Sequence, residues 1–154
     1  MKNLLLIILM LFTVIGTAQR NRYNNITEKN GKIGIGTKSP DELLTVKGKI
    51  HTREVIVDMK GAVAPDYVFE HYFDGSSKRI PEYQLLSLEE LESFIATAHH
   101  LPGVPAADRL EENGIALKEM NLILLQKIEE LTLYTIEQQK EIEALKRRID
   151  AIEN

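Results

Sequence analysis

The sequence contains no cysteine and no tryptophan, and its only aromatic residues are four phenylalanines and five tyrosines among 154 residues. Without cysteine the chain forms neither disulfides nor thiolate metal sites. A small exported protein without disulfides needs another source of stability, and oligomerisation is one of the few available. With so few aromatic side chains, a large self-contained core is not expected.

A positive charge excess is also missing. Lysine and arginine total 19 against 23 aspartate and glutamate residues, which gives a formal net charge of −4. Proteins that bind nucleic acid or an anionic membrane surface usually carry the opposite balance. The composition therefore predicts neither kind of partner.

Only one long apolar run is present, and it lies at the start of the chain. Lys2 precedes twelve uncharged residues, Leu4 to Ile15, and small residues follow up to Ala18. This three-part pattern is typical of a secretory signal peptide, and twelve residues are too few for a membrane span of about 20. We expect cleavage between Ala18 and Gln19, with no stable membrane span left afterwards; an uncleaved anchor is the alternative. The mature protein would be secreted, periplasmic or on the cell surface.

Residues 19–30 are polar and without periodicity, which predicts a flexible lead-in. Residues 31–60 are predicted to form a β stem containing glycine, because short alternating apolar runs are interrupted by glycine and proline. The alternating residues are Ile33 and Ile35, Leu44 and Val46, and Val55 and Val57.

The glycines at the start of the stem invite a phosphate-binding interpretation, which the spacing does not favour. Gly31 and Gly36 have the spacing of a phosphate-binding loop, but Thr37 and Lys38 stand in the wrong order. The dinucleotide motif fails because Ser39 occupies the third glycine position. Both motifs also require a following helix, whereas the next residues favour a strand. We therefore expect no nucleotide and no other cofactor.

Residues 61–114 are predicted to form a small mixed or helical module. Apolar and aromatic residues cluster at Pro65–Phe73, where helix and strand both remain open. Ser87 followed by Glu90 predicts a capping box at the start of a helix. A short helix is expected to follow, ending at Gly114 as a left-handed cap.

A heptad pattern over residues 115–154 predicts a coiled coil. Eight of the eleven core positions are aliphatic, with no glycine or proline, and a single helix cannot bury such a seam by itself. We call these positions the seam: Leu117, Asn121, Leu124, Ile128, Leu131, Thr135, Gln138, Ile142, Leu145, Ile149 and Ile152.

Two stretches resemble known families. Residues 31–50 read GKIGIGTKSPDELLTVKGKI, which resembles a repeat unit of phage tail-fibre and adhesin-like proteins. Residues 99–139, which begin HHLPGVPAADRLEENG, resemble the C-terminal segment of secreted bacterial tail-fibre-like proteins, related to endosialidase-type intramolecular chaperone domains. The resemblance implies a trimer whose strands wind around one axis, with the glycines allowing close packing there, and which ends in a helical bundle.

Self-cleaving members of that chaperone class use serine and lysine in a segment that contains Ser-Asp. This chain has no Ser-Asp pair, and its closest serine–lysine set is Ser76-Ser77-Lys78. A serine nucleophile needs a positioned base, which adjacent turn residues rarely supply. Self-cleavage is therefore kept only as a second alternative, and we expect the protein not to be an enzyme.

Metal binding at His99 and His100, with His51 or His71 as helpers, is likewise disfavoured. Zinc usually requires three or four ligands at fixed spacing, and adjacent histidines point in different directions. A helix end, where imidazole meets the last carbonyl groups, is the preferred interpretation.

The sequence thus predicts an α+β protein with a short β-strand stem, a small helical segment and a long C-terminal coiled-coil helix, in an intertwined parallel trimer. The expected function is that of a secreted, non-enzymatic structural or assembly module, at a fibre tip or acting like a chaperone. Its expected partner is itself, as a homotrimer, with a dimer as runner-up. The alternative is a surface adhesin that binds its ligand through the aromatic region Tyr67–Tyr83.

Overall fold

The computed structural model describes residues 25–153 and divides into two compact units. One unit runs up to Val55 and the other begins at Ile56. The first contains a three-stranded sheet, and the second contains four helices. The α+β class and the long C-terminal helix expected from the sequence are confirmed.

The sheet consists of β1 (Ile26–Lys29), β2 (Lys32–Ile35) and β3 (Leu44–Val46), in that order. β1 and β2 pair antiparallel, and β2 and β3 pair parallel. Asn30 and Gly31 form the tight turn of the hairpin, with φ angles of 53° and 75°. Positive φ at both central residues is the geometry that two-residue hairpins prefer. Part of the segment predicted as a flexible lead-in is therefore a paired strand.

The glycines at the end of β2 serve the local backbone. A Cβ on Gly34 would lie 2.5 Å from the carbonyl oxygen of Thr37, which no side chain tolerates. Gly36 has a φ of 74°, a conformation that favours glycine, and a Cβ there would lie 3.0 Å from the carbonyl oxygen of Lys47. Turn formation within one chain is thus sufficient to explain both residues.

The connection from β2 to β3 is organised by Thr45. Its hydroxyl donates to Asp41 Oδ1 at 2.6 Å and accepts the backbone N–H groups of Asp41 and Glu42, each at 3.1 Å. The hydroxyl donor lowers the pKa of Asp41. Thr45 is buried, so the polar side chains that favour a bend also satisfy each other.

The prediction of a strand at Val55 and Val57 was wrong. Residues 47–64 form no strand or helix, and the last strand ends at Val46 rather than near residue 60. The alternating side chains are present, but no neighbouring strand among residues 25–153 pairs with them. Ile56, between the two valines, is 91% exposed.

The second unit begins with α1 (Tyr67–Asp74), which resolves the open choice at Pro65–Phe73 in favour of helix. Pro65 precedes the helix, where its missing N–H costs nothing, and its carbonyl accepts the N–H of Val68 at 2.8 Å. Gly75 ends the helix in a left-handed conformation, with its N–H donating to the carbonyl of His71.

Helix α2 (Leu88–Ala98) has the capping box expected from the sequence. Ser87 accepts the N–H of Glu90 at 3.2 Å, and the Glu90 carboxylate accepts the N–H of Ser87 at 2.8 Å. These two bonds lower the pKa of Glu90. The helix ends at His99, which adopts a left-handed conformation with a φ of 59°.

Helix α3 (Ala107–Asn113) is followed by Gly114, whose φ is 75° but whose ψ is −170°. The expected left-handed cap is therefore wrong in ψ, because the chain turns at once into an extended segment before α4. That last helix, α4 (Leu117–Glu153), contains 37 residues and extends for roughly 55 Å.

The core of the helical unit lies between α1 and the middle of α4. Tyr67, Val68 and Leu133 form it, and their exposed fractions are 7%, 1% and 0%. Half-buried residues surround it: Phe69, Tyr72, Ile80, Tyr83 and Leu85. Many large apolar side chains of this unit lie outside the core and stay exposed, among them Ile56, Phe73 and Leu88.

Replacing Leu133 with alanine should destabilise the helical unit by about 2–5 kcal/mol, because it leaves a cavity against Val68 and Tyr67. Urea unfolding followed by circular dichroism measures the change. Ile136→Ala is the control, since Ile136 lies on the same helix but is 38% exposed. Equal losses in the two variants would contradict the placement of the core.

Candidate oligomerisation surface

Helix α4 has two apolar faces that point in nearly opposite directions. Leu131 is 63% exposed, whereas Leu133 is fully buried, although only one residue separates them. Residues two apart differ by about 200° around a helix, so the two leucines lie on opposite sides. We call the side that contacts α1 the inner face.

Three tyrosine hydroxyls fasten the inner face to the rest of the helical unit. Tyr67 donates to Gln126 Oε1 at 2.9 Å, and Tyr83 donates to Glu130 Oε1 at 3.1 Å. Tyr134 of α4 donates to the backbone carbonyl of Leu86 at 2.7 Å. These contacts hold the segment that precedes α2 against the middle of the long helix.

Glu130 is the centre of this polar layer. Besides Tyr83, it accepts Gln126 Nε2 at 2.7 Å and Lys127 Nζ at 2.7 Å. Burial first, and then the negative charge of Glu130, raise the pKa of the Tyr83 hydroxyl. The tyrosine therefore stays protonated as a donor, and the layer is a set of satisfied structural contacts.

Glu129, the residue next to Glu130 in sequence, has fewer hydrogen bonds than Glu130. It is only 6% exposed, and its Oε2 atom has no hydrogen-bond partner among the described residues. Burial, and secondarily the negative charge of Asp66, raise the pKa of this carboxyl. A buried carboxylate without a partner costs stability when it is ionised.

Glu129→Gln should therefore change the pH dependence of folding. Because the folded-state pKa is raised, the folded chain keeps a proton that the unfolded chain has lost, and stability falls as pH rises above about 4.5. We expect the variant to melt at a higher temperature than wild type at pH 7, with a smaller difference at pH 4. Thermal unfolding at both pH values measures this, with exposed Glu143→Gln as control. A difference independent of pH would contradict the assignment.

The predicted seam occupies the face of α4 opposite the inner face, and all eleven of its residues are exposed. Among its aliphatic members the exposed fraction runs from 46% at Leu124 and Ile142 to 83% at Ile152. Leu125, beside the seam, is also 43% exposed and widens the apolar surface. Side chains within the described chain therefore leave the whole seam open along five helical repeats.

The sheet has an exposed apolar face of its own. Ile26 is paired with Ile35, and Ile33 with Leu44, so these four side chains lie on one face of the sheet, together with Glu28, which is also paired with Ile33. The exposed fractions of the four apolar side chains range from 37% at Ile33 to 59% at Leu44. Thr27, Lys29, Lys32 and Thr45 occupy the opposite face. Each unit thus presents an apolar surface.

The aromatic region considered for ligand binding is divided between core and surface. Tyr67 and Tyr83 pack edge to face with ring centres 5.1 Å apart, and both hydroxyls are bound to α4. Tyr72 packs against Phe73, which is 68% exposed. Phe73 is thus the most exposed aromatic side chain among residues 25–153, and most of the cluster is structural.

The serine of the possible self-cleavage set is bound to a carboxylate. Ser77 is buried, donates from Oγ to Glu70 Oε2 at 2.6 Å and accepts the N–H of Arg79 at 3.1 Å. Arg79 in turn lies 3.5 Å from Glu70 Oε1. In the described part of the chain, no lysine amine contacts Ser77.

The histidines do not converge. The backbone N–H of His99 donates to the carbonyl of Ile95, and His100 Nδ1 lies 3.0 Å from the carbonyl oxygen of Leu101. His51 belongs to the other unit, and His71 packs against Tyr83. Residues 25–153 contain no group of three or more side chains suited to hold a metal ion.

The expected cleavage site at Ala18 and Gln19 lies outside the described residues. None of the helices within residues 25–153 combines the length and apolar composition that crossing a bilayer requires. No protein-family model, curated protein or solved structure matches the chain. The exposed seam is the feature of the described residues from which we argue a function.

Proposed function

We propose that the protein is an exported, non-enzymatic structural module that assembles into a parallel homotrimer through the seam of α4. The observation that carries this proposal is the exposure of all eleven seam residues on a helix whose other face is already covered. Monomeric soluble proteins rarely leave contiguous apolar surfaces of this length open to water.

The energetics favour association. Fully burying a leucine or isoleucine contributes about 1.5–3 kcal/mol, and each chain offers eight such side chains on the seam. Association costs about 4–15 kcal/mol in lost freedom of motion. Even partial burial of the seam from several chains offsets that cost.

One feature of the molecule favours two chains, and three features favour three. Isoleucine at one core position and leucine at the other would favour two strands in a parallel coiled coil. The added apolar width at Leu125, the exposed apolar face of the sheet and the resemblance to trimeric fibre proteins favour three. The seam's polar members adjust register without choosing the number, so we propose a trimer, with a dimer as runner-up.

Export completes the proposal. The segment Met1–Ala18 would direct the chain out of the cytoplasm and be removed, which leaves a secreted, periplasmic or surface module. The role at a fibre tip or as an assembly aid rests on the sequence resemblance. The adhesin alternative keeps one supporting observation, the exposure of Phe73 beside Tyr72.

A comparison of two single variants, Ile128→Asp and Ile136→Asp, tests whether the seam drives assembly. Ile128 is on the seam and 59% exposed in the single chain, whereas Ile136 lies off the seam and is 38% exposed. Burial within one chain would make Ile136→Asp the more harmful change. The proposal expects the reverse, because Ile128→Asp would place a charge between packed helices.

Sedimentation velocity at micromolar concentration measures the outcome. Ile128→Asp should sediment as a single chain with reduced helix content by circular dichroism, and Ile136→Asp should keep the size of the wild type. If Ile128→Asp leaves the assembly intact, the seam is not the interface.

A further inference from the structure

The final stretch of α4, residues 141–153, has no side chain that is fully buried. Beyond Lys140, whose Nζ lies 3.4 Å from the Tyr72 hydroxyl, only Ala144 is half-buried. An isolated helix of this length is marginal in water. Contacts beyond those of residues 25–153 would therefore have to stabilise it.

Charged residues flank the seam in this stretch and form no ion pair with the described residues of their own chain, although Lys146 has Glu143 three residues before it and Asp150 four residues after it. Glu141, Lys146, Arg148 and Glu153 form no ion pair among the described residues. Neighbours on a helix surface are three or four residues apart, and Glu141, Arg148 and Glu153 have no opposite charge at those distances.

Their heptad positions supply a partner in a second copy. Glu141 and Arg148 come directly before the core residues Ile142 and Ile149, and Lys146 and Glu153 come directly after the core residues Leu145 and Ile152. In a parallel coiled coil in register, a residue that comes directly before a core position, such as Glu141 or Arg148, contacts the residue five positions later on the neighbouring helix. Both resulting contacts join opposite charges.

We propose that Glu141 pairs with Lys146 of a neighbouring copy, and Arg148 with its Glu153, so that these charges fix the parallel orientation and register of the assembly. The inference rests on the proposed self-association through the seam, and it explains how that association selects one orientation and one register. The occupant of the surface is a second copy of this chain, because both pairs of opposite charges meet when two copies lie parallel and in register.

Slipped registers are penalised by the same residues. A shift of one heptad in one direction brings Arg148 against Lys146, and in the other direction Glu141 against Glu153. Like charges at these positions repel. The aliphatic seam by itself repeats every heptad and would tolerate such a slip, so the charges provide information that the apolar residues do not.

An antiparallel arrangement pairs fewer of these charges and covers less of the seam. It can place Glu141 beside Arg148 of the other chain, but only when the helices overlap near their C-terminal ends. That overlap leaves the aliphatic seam from Leu117 to Leu131 uncovered, whereas the parallel register covers it throughout. In this antiparallel overlap Lys146 would lie beside Gln139, so its charge would matter little.

The test is a double-mutant cycle of Glu141→Lys, Lys146→Glu and the variant that carries both. Residues 141 and 146 are five apart and do not touch within one helix, so any coupling between them reports a contact between chains. Glu143→Lys and Arg147→Glu are the matched charge controls, because they lie away from the seam. Sedimentation equilibrium of the full chain at low salt gives the association constant.

Each single reversal should weaken association roughly three- to tenfold, and the double reversal should restore it to within about a factor of two. Mixing the two single variants should restore association only in part, because a trimer of two chain types always keeps one contact between like charges, and high salt should reduce all the differences. The control reversals should leave association nearly unchanged.

Two outcomes would overturn the inference, and they are distinguishable. If wild type assembles but Lys146→Glu is harmless and the double variant is not restored, the charge register is wrong while seam assembly stands. If wild type sediments as a single chain, both the register and the proposed function fail.

Discussion

The structure depends on a helix with two apolar faces, of which residues 25–153 cover only one. Leu133 and the tyrosine contacts commit the inner face of α4 to α1 and the segment before α2. Once that face is occupied, no other described residue of the helical unit covers the seam. The scarcity of aromatic residues and the absence of disulfides give the same conclusion at the level of composition. The proposed association with other copies would supply stability that the described residues of a single chain do not.

The two units use different chemistry to reach similar surfaces. In the sheet, a hairpin turn at Asn30-Gly31 and the hydroxyl of Thr45 fix a short backbone scaffold, and alternating side chains then expose Ile33 and Leu44 together. In the helical unit, hydrogen bonds to Glu130 fix α4, and the heptad exposes the seam. In both units polar contacts, local in the sheet and long-range in the helical unit, determine which apolar side chains remain open.

Sequence periodicity predicted much of this architecture and failed where contacts between distant residues decide. The capping box at Ser87 and the long helix depend on neighbours within a few residues, so the sequence was sufficient to predict them. Val55 and Val57 have the alternation of a strand, but a strand needs a neighbouring strand to pair with. None of the described residues supplies one, and the sequence pattern by itself does not show this. The inner face was missed as a polar anchor, although Gln126 and Glu130, four residues apart and away from the seam, gave a signal for it.

The central claim is that the open seam is covered by two further copies of the same chain. Native mass spectrometry of the exported, wild-type protein tests this most directly, because it counts chains without any substitution and reports the mass of each chain. We predict a complex of three identical chains, each lacking the first eighteen residues, that persists at micromolar concentration. A complex of two chains would contradict the count, and a single chain under those conditions would contradict self-association through the seam.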